Sequence, residues 1–198
     1  MEEGGLRQRA SEHRRQRILA VATELFAAQG FKKTSAQAVA DAAGVSKGLV
    51  FLFFNNKLGL FEAVIEELMV GWALHTDRQV AKVLGNTAAE LDAYIRASLE
   101  YILSEPLLVA VLRDEERPQV AHAMANAQNY GVDNISKVLR RGIKEGVFRQ
   151  DIDPVTTTQV LLDLISGMME RHCRSKKRTT NKRQLDAAMA FVQNAILA

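Results

Sequence analysis

Residues 34–57 read TSAQAVADAAGVSKGLVFLFFNNK. From Leu49 to Phe54 no residue carries a polar side chain. Taken alone, that run reads as a short buried strand, apolar and aromatic between glycine and asparagine. Its flanks argue for helix. Gly44 ends the preceding segment, Ser46 is placed to cap a helix, and Lys57 opens the next one. Upstream, Thr34 stands three residues before Gln37, the spacing of a capping box. The short helix this predicts, about 35–43, turns Ala36, Val39, Ala40 and Ala43 inward. Small alanines let two helices cross closely. Helix, tight glycine turn, helix is the helix-turn-helix arrangement, whose second helix enters the DNA major groove. A helix over 46–54 is about 13 Å long, enough to lie across one groove. Leu49, Phe53 and Phe54 then face the core, and Lys47, Gly48, Phe51 and Leu52 face outward.

The rest of the chain carries helical periods. Ser11 to Gln29 is amphipathic through Ile18, Val21, Ala22, Leu25 and Phe26, and Gly30 stops it. Lys57 to about Lys82 forms a long helix with Leu60, Phe61, Val64, Ile65, Leu68, Met69 and Trp72 on one face. Thr87 with Glu90 suggests a cap for a helix over 88–103. Pro106 and Pro118 each suit a first helical position, with helices over 106–113 and from 118 to about 145. Asp153 before Pro154 caps a helix to about Arg174, and a final helix covers about 180–197. The fold class is all-α, with about nine helices.

Composition agrees. The 198 residues are 47% hydrophobic and 25% charged, an ordinary globular balance. A lone cysteine, Cys173, leaves no intramolecular disulfide and fits a reducing cytoplasm. The N-terminus lacks the apolar segment of a secretory signal, and no apolar run is long enough for a membrane span. The net charge of +3 is uneven. Residues 1–60 hold nine Lys/Arg against five Asp/Glu, and the remaining 138 hold seventeen against eighteen. A basic N-terminal third points to an anionic partner, although charge alone fits a solvated basic face equally well.

Residues 13–64 resemble the DNA-binding domain of the TetR family of bacterial transcriptional repressors. The resemblance rests on ILAVATELFAAQGFKKTSAQAVADAAGVSKGLVFLFFNNKLGLFEAVI. Its pieces are an apolar helix, Gly-Phe, a Thr-Ser cap, Val-Ala-x-Ala-Ala-Gly-Val-Ser, Lys-Gly, an aromatic run, Asn-Lys and Leu-Phe. The turn from Gly142 to Pro154 also resembles one found before the last two helices of such proteins. The resemblance implies a three-helix head on a helical ligand-binding and dimerisation body. It further implies a homodimer on a palindromic double-stranded operator, released by a small-molecule effector. The domain reading is an N-terminal arm over 1–10, a head over 11–56 and a body over 57–198.

In the head, Thr34 and Ser35 begin one helix, where hydroxyls and backbone N–H groups can meet a phosphate. Ser46, Lys47, Gly48, Phe51, Leu52 and Lys57 complete the expected DNA-binding set. Gly48 lets the helix approach closely, and the lysines neutralise phosphates. The family pattern often has Tyr-His-Tyr-Phe where this chain has Phe51, Leu52, Phe53 and Phe54. Fewer hydrogen-bond donors remain, so readout leans on thymine methyls and on Lys47 and Lys57. Arg7, Arg9, Arg14 and Arg15 suit either an arm in the minor groove or a solvated tail.

In the body, Val160, Leu161, Leu164, Ile165 and Met168 form one apolar stripe. Leu185, Met189, Val192 and Ile196 form another. The stripes alone fit burial within one chain, and the resemblance makes them the dimer interface. Candidate lining for a largely apolar effector is Met69, Trp72, Tyr94, Tyr101, Met124 and Tyr130, with His122 or Asn126 as polar anchors. His172 and Cys173 are adjacent, so they do not share a helix face and do not suggest a metal. No nucleophile with its base, no phosphate loop and no cofactor motif is legible, so the chain does not read as an enzyme. A rival reading is a helical ligand-binding or interaction protein whose head has lost specific DNA readout.

Overall fold

A computed structural model describes residues 2–113, 120–174 and 182–198. Among these, nine α-helices follow in order: α1 Glu2–Lys33, α2 Ala36–Ala43, α3 Lys47–Phe54, α4 Lys57–Ala81, α5 Thr87–Ser104, α6 Pro106–Arg113, α7 Ala121–Lys144, α8 Pro154–Arg174 and α9 Lys182–Ile196. The all-α class stands. The one β feature among the described residues is an isolated antiparallel bridge between Phe148 and Leu197. There the Arg149 N–H donates to the Ile196 carbonyl and the Ala198 N–H to the Val147 carbonyl, at 2.9 and 3.1 Å. The expected Pro118 start of α7 and residues 175–181, including the expected start of the last helix, lie outside the described residues, as do the His172 and Cys173 side chains.

One sequence expectation changes at the N-terminus. Residues 2–10, expected as an arm, are helical and continuous with α1. Gly30 breaks α1 as expected, with φ 77° and ψ 166°, and a further turn follows to Lys33.

The chain forms two compact units, and the boundary is not at residue 57. One unit takes in Met1–Leu68 and Pro106–Ala123. The other takes in Met69–Glu105 and Met124–Ala198. The first turns of α4 belong to the head because Leu60, Phe61 and Val64 are fully buried. Phe61 meets Phe26 edge-on at 4.8 Å and Phe31 at 5.0 Å between ring centroids. Each such ring stabilises by roughly 1.5–3 kcal/mol through burial alone. Also in this unit, α6 packs on α1 and buries Leu107, Leu108 and Val111.

The second unit has its own core of Trp72, Leu91, Ile95, Ile135, Leu139 and Phe148, closed by Leu161, Ile165, Met189, Val192 and Ile196. One of its two expected caps is displaced by a residue. Asn86, not Thr87, caps α5 by accepting from the Ala89 N–H at 3.0 Å. Thr87 is buried and donates to Glu145 at 2.5 Å. Glu90 is buried, accepts from the Gly85 N–H at 2.9 Å and pairs with Arg141. Asp153 caps α8 as expected, accepting from the Thr156 N–H at 2.6 Å.

The α3–α4 junction is closely packed. A Cβ on Gly59 would stand 2.3 Å from the Phe54 carbonyl oxygen. That atom is backbone, so relief requires moving α3 against α4. Gly59→Ala is expected to lower unfolding stability by about 1–3 kcal/mol. Urea denaturation checks it, and wild-type stability would show that the junction yields freely.

Candidate nucleic-acid interface and ligand site

Both ends of α3 are fixed by side chains and backbone in the same stretch. Ser46 is its N-cap, extended at φ −74° and ψ 147°, and its hydroxyl accepts from the Leu49 N–H at 3.2 Å. At the other end Asn55 adopts φ 63°, and its N–H donates to the Phe51 carbonyl at 2.8 Å. Asn56 then caps α4 through the Gly59 N–H at 2.9 Å. The axes of α2 and α3 meet at 110°, the crossing expected of a helix-turn-helix. Gly44 makes that turn possible in the left-handed region, at φ 61° and ψ 42°.

One face of α3 is core and the other open. Val50 and Phe54 are buried, and Leu49 and Phe53 are half-buried. Lys47 and Gly48 are exposed, Phe51 is 37% exposed and Leu52 76%. Lys47 Nζ lies 5.4 Å over the Phe51 ring, an attraction that holds the ring at the surface beside the charge. A Cβ on Gly48 would meet nothing nearer than the Ser46 hydroxyl at 3.9 Å. The chain's own packing therefore does not require glycine there. Arg15 lies 5.5 Å from the Phe54 ring, and Arg17 donates to the Gly44 carbonyl at 3.4 Å. These arginines brace the turn, a role the sequence reading missed. Arg7, Arg9 and Arg14 are exposed along α1.

Two expected phosphate ligands are engaged inside the head. Thr34 is 2% exposed, and its hydroxyl faces the carbonyls of Gly30 and Leu25 at 2.9 and 3.2 Å. It braces the kink after α1 and does not point outward. The cap of α2 is the exposed Ser35, which accepts from the Ala38 N–H at 3.0 Å. No capping box closes, because Gln37 donates to Asp41 at 2.7 Å instead. Lys57 is half-buried. Its ammonium donates to the Phe31 carbonyl at 3.0 Å and lies 4.2 Å from the Phe31 ring centroid. That cation serves first as a clamp on the end of α1.

In the second unit, five buried polar atoms have no hydrogen-bond partner: Trp72 Nε1, His75 Nε2, Tyr94 OH, Ser98 Oγ and Asn134 Nδ2. They come from α4, α5 and α7. Trp72 meets Tyr94 at 6.4 Å and Tyr130 at 5.8 Å, both edge to face, and Tyr101 meets His75 at 5.6 Å. Tyr130 donates its hydroxyl to the Asp77 carboxylate, 2.9 Å from either oxygen. Burial pushes the Tyr94 hydroxyl pKa up, so it stays protonated at neutral pH. Asn134 stands near enough to oppose that shift, yet no hydrogen bond of normal geometry joins the two.

The structure thus brings together Trp72, Tyr94, Tyr101 and Tyr130, with Met69 packed against the same core. Met124 is half-buried. His122 and Asn126 are exposed, so the expected polar anchors do not line this buried region, and His122 belongs to the other unit. The polar groups that do line it are His75, Ser98 and Asn134. Each follows an aromatic by one helical turn: Trp72 and His75, Tyr94 and Ser98, Tyr130 and Asn134. That spacing was available in the sequence.

The interface stripes also need correction. Leu161, Ile165, Met189, Val192 and Ile196 are buried in the core of one chain, because the broad apolar face of each helix packs inward. Leu164, Met168 and Leu185 are half-buried. Of the expected set, Val160 alone is well exposed, at 60%, and Phe191, which was not expected, is 72% exposed. An open groove of about 550 Å³ runs between α5 and α9. Its guanidinium, Arg96, is already held by Asp92 and Asp186 at 2.8 and 2.6 Å. No group of three metal-ligating side chains forms among the described residues, and no single helix there is long and apolar enough to cross a membrane.

Comparison with known proteins agrees with this geometry. Residues 18–64 match the family described as bacterial regulatory proteins, tetR family, and residues 88–185 match a tetracyclin repressor-like C-terminal domain. The transcriptional regulator SrpR of Pseudomonas putida is 31% identical over 172 residues, covering 84% of this chain and 78% of that protein. The transcriptional repressor KstR2 of Rhodococcus jostii is 29% identical over 161 residues, covering 76% and 75%. Among solved structures, KstR2 of Mycobacterium tuberculosis superposes with a TM-score of 0.66 at 23% identity, over 93% of this chain and 95% of that one. FadR of Bacillus halodurans gives 0.72 at 19% identity, over 92% and 94%. The chain belongs to the TetR family and is a helix-turn-helix transcriptional regulator.

The placement of Thr34 can be checked directly. Thr34→Val keeps the shape and removes the hydroxyl. It is expected to destabilise the protein by about 1 kcal/mol while leaving the salt dependence of DNA binding unchanged. A reduced salt slope with unchanged stability would return Thr34 to the DNA surface.

Proposed function

We propose that this protein is a cytoplasmic homodimeric repressor that binds a palindromic operator and is released by a largely apolar small molecule held in the second unit. The observation that carries the DNA reading is the open face of α3. Ser46, Lys47, Gly48, Phe51 and Leu52 form a surface whose residue types the core does not require. Ser46 and Ser35 each present a capped helix N-terminus, where backbone N–H groups favour a phosphate. Lys47 supplies charge. Gly48 admits close approach of the backbone. Leu52 and Phe51 suit thymine methyl groups better than hydrogen-bonding base edges. Lys57 acts mainly through the position of α1 and α3.

The body reading rests on the aromatic and polar cluster around Trp72. Two solved relatives are described as a ketosteroid transcriptional regulator and a fatty acid degradation regulator, and an apolar effector is the reading we carry over. The dimer reading rests on the exposed apolar side chains Val155, Val160 and Phe191 on α8 and α9, which stand apart from the chain's own core. A partner copy would cover them, as in four-helix interfaces.

Two outcomes follow for the head. Lys47→Ala is expected to weaken binding to all sequences alike and to lower the slope of log K against log salt by about one unit. Leu52→Ala is expected to change the preferred operator in a binding-site selection. The first test is a mobility shift of the chain's own upstream DNA in excess competitor. Failure to shift it, or a selection profile that Leu52→Ala leaves unaltered, argues against this reading. For the dimer, Phe191→Glu buries a charge only if α9 meets a partner. Light scattering at micromolar concentration is then expected to report a monomer, and an unchanged mass would move the interface elsewhere.

A further inference from the structure

We infer that the core region between α4, α5 and α7 takes an uncharged ligand with a ring-shaped apolar body and a hydrogen-bond-accepting oxygen, of the ketone, lactone or quinone class. This deepens the effector reading above and rests on it. The region lies wholly within the second unit.

The argument begins with what the unpartnered atoms can do. Trp72 Nε1 and Asn134 Nδ2 are donors only. The Tyr94 and Ser98 hydroxyls can donate or accept, and His75 Nε2 does either according to its tautomer. Not one of the five is restricted to accepting. Buried polar groups in folded proteins are nearly all partnered, so a cluster of this kind needs an explanation. The complement of such a set is an acceptor.

Charge narrows the class. No lysine or arginine is buried among the described residues, so an anion entering this core would find no fixed cation beside it. It would instead meet the Asp77 carboxylate, whose charge already reaches Tyr94 and opposes a negative phenolate there. A cation would find faces of Trp72, Tyr94 and Tyr130, but its own donors would confront the indole and amide donors. Asp77 is already accepting from Tyr130. A neutral acceptor avoids both conflicts.

Shape is set by the aromatics and by Gly131 on α7. A Cβ there would lie 3.6 Å from the Tyr94 hydroxyl, 3.8 Å from the Trp72 ring and 3.9 Å from Leu162, ordinary contact distances. Glycine is therefore not demanded by a clash. Glycine there leaves the space of one methyl group beside the two rings.

The test uses the full chain and three probes with one naphthalene body: 2-acetonaphthone (neutral ketone), 2-naphthoate (anion) and (2-naphthylmethyl)trimethylammonium (cation). Binding is read by calorimetry and by quenching of Trp72, the only tryptophan in the sequence. The ketone is expected to bind at least about tenfold more tightly than either ion. Asn134→Leu and Ser98→Ala are each expected to weaken ketone binding about tenfold while raising the Tm of the free protein, since each removes an unpartnered polar atom. Equal or tighter binding of either ion overturns the inference. So does binding of the ketone that both variants leave unchanged, or no binding of any probe at millimolar concentration. Release of the chain's upstream DNA is measured separately. A ketone that binds selectively yet releases no DNA keeps the ligand class and counts against effector release. Release by all three probes alike does the reverse.

Discussion

The Phe54 carbonyl occupies the space that a Cβ on Gly59 would need, and the position of α3 depends on that contact. A recognition helix of eight residues has little stability of its own, so its angle must be imposed from outside. Gly44 sets the angle to α2, and Gly59 with the Asn56 cap sets the approach to α4. Phe61, two residues after Gly59, anchors α4 in the ring cluster with Phe26 and Phe31. Lys57 ties the same turn to the end of α1. The open face of α3 is thus placed by packing on its hidden side. The apolar exposed residues of α3 follow from this division of labour. Orientation is fixed by Val50 and Phe54 inside, which leaves Phe51 and Leu52 to what lies outside.

Much of the architecture was legible because helix caps and glycines leave sharp marks. Gly30, Gly44 and Gly146 end helical periods, and all three adopt positive φ. The strand-like run from Leu49 to Phe54 was correctly read as helix through its flanks alone. Individual side chains were less legible. Thr34 and Ser35 are both competent caps, and the choice between them turns on whether Thr34 reaches the Gly30 carbonyl, a contact made by a kink that sequence periodicity does not encode. Five of the nine stripe residues on α8 and α9 are buried in the chain's own core for a related reason. A period of 3.6 identifies an apolar face but not what covers it. The widest stripe faces the largest nearby surface, which here is the chain's own core. The exposed Phe191 sits alone among polar and small neighbours, so it made no pattern to find.

The buried region around Trp72 shows another limit. Aromatics announce themselves in a composition scan, while serine, histidine and asparagine within helices read as surface. Only the recurrence of a polar residue one turn after each of three aromatics carried a signal. His122 and Asn126 are polar residues near the same part of the sequence, but helical rotation places both at the surface.

Energetics give that cluster its weight. Leaving a buried donor or acceptor unpartnered costs about 1–3 kcal/mol, and a whole domain is stable by only about 5–15 kcal/mol. Five such atoms on three helices are a large fraction of that margin. Neighbouring polar groups in the same unit are satisfied: Glu90 by Arg141 and Gly85, Thr76 by the Trp72 carbonyl, and Ser136 with Thr158. The fold therefore partners its polar groups where only stability is at stake. Where α4, α5 and α7 face one another around Trp72, it withholds partners that leucine or phenylalanine would have made unnecessary. A protein that retains this penalty gains from it only when something else supplies the missing hydrogen bonds. On the ligand reading inferred above, the bound state, rather than the free one, is the state in which this core is complete.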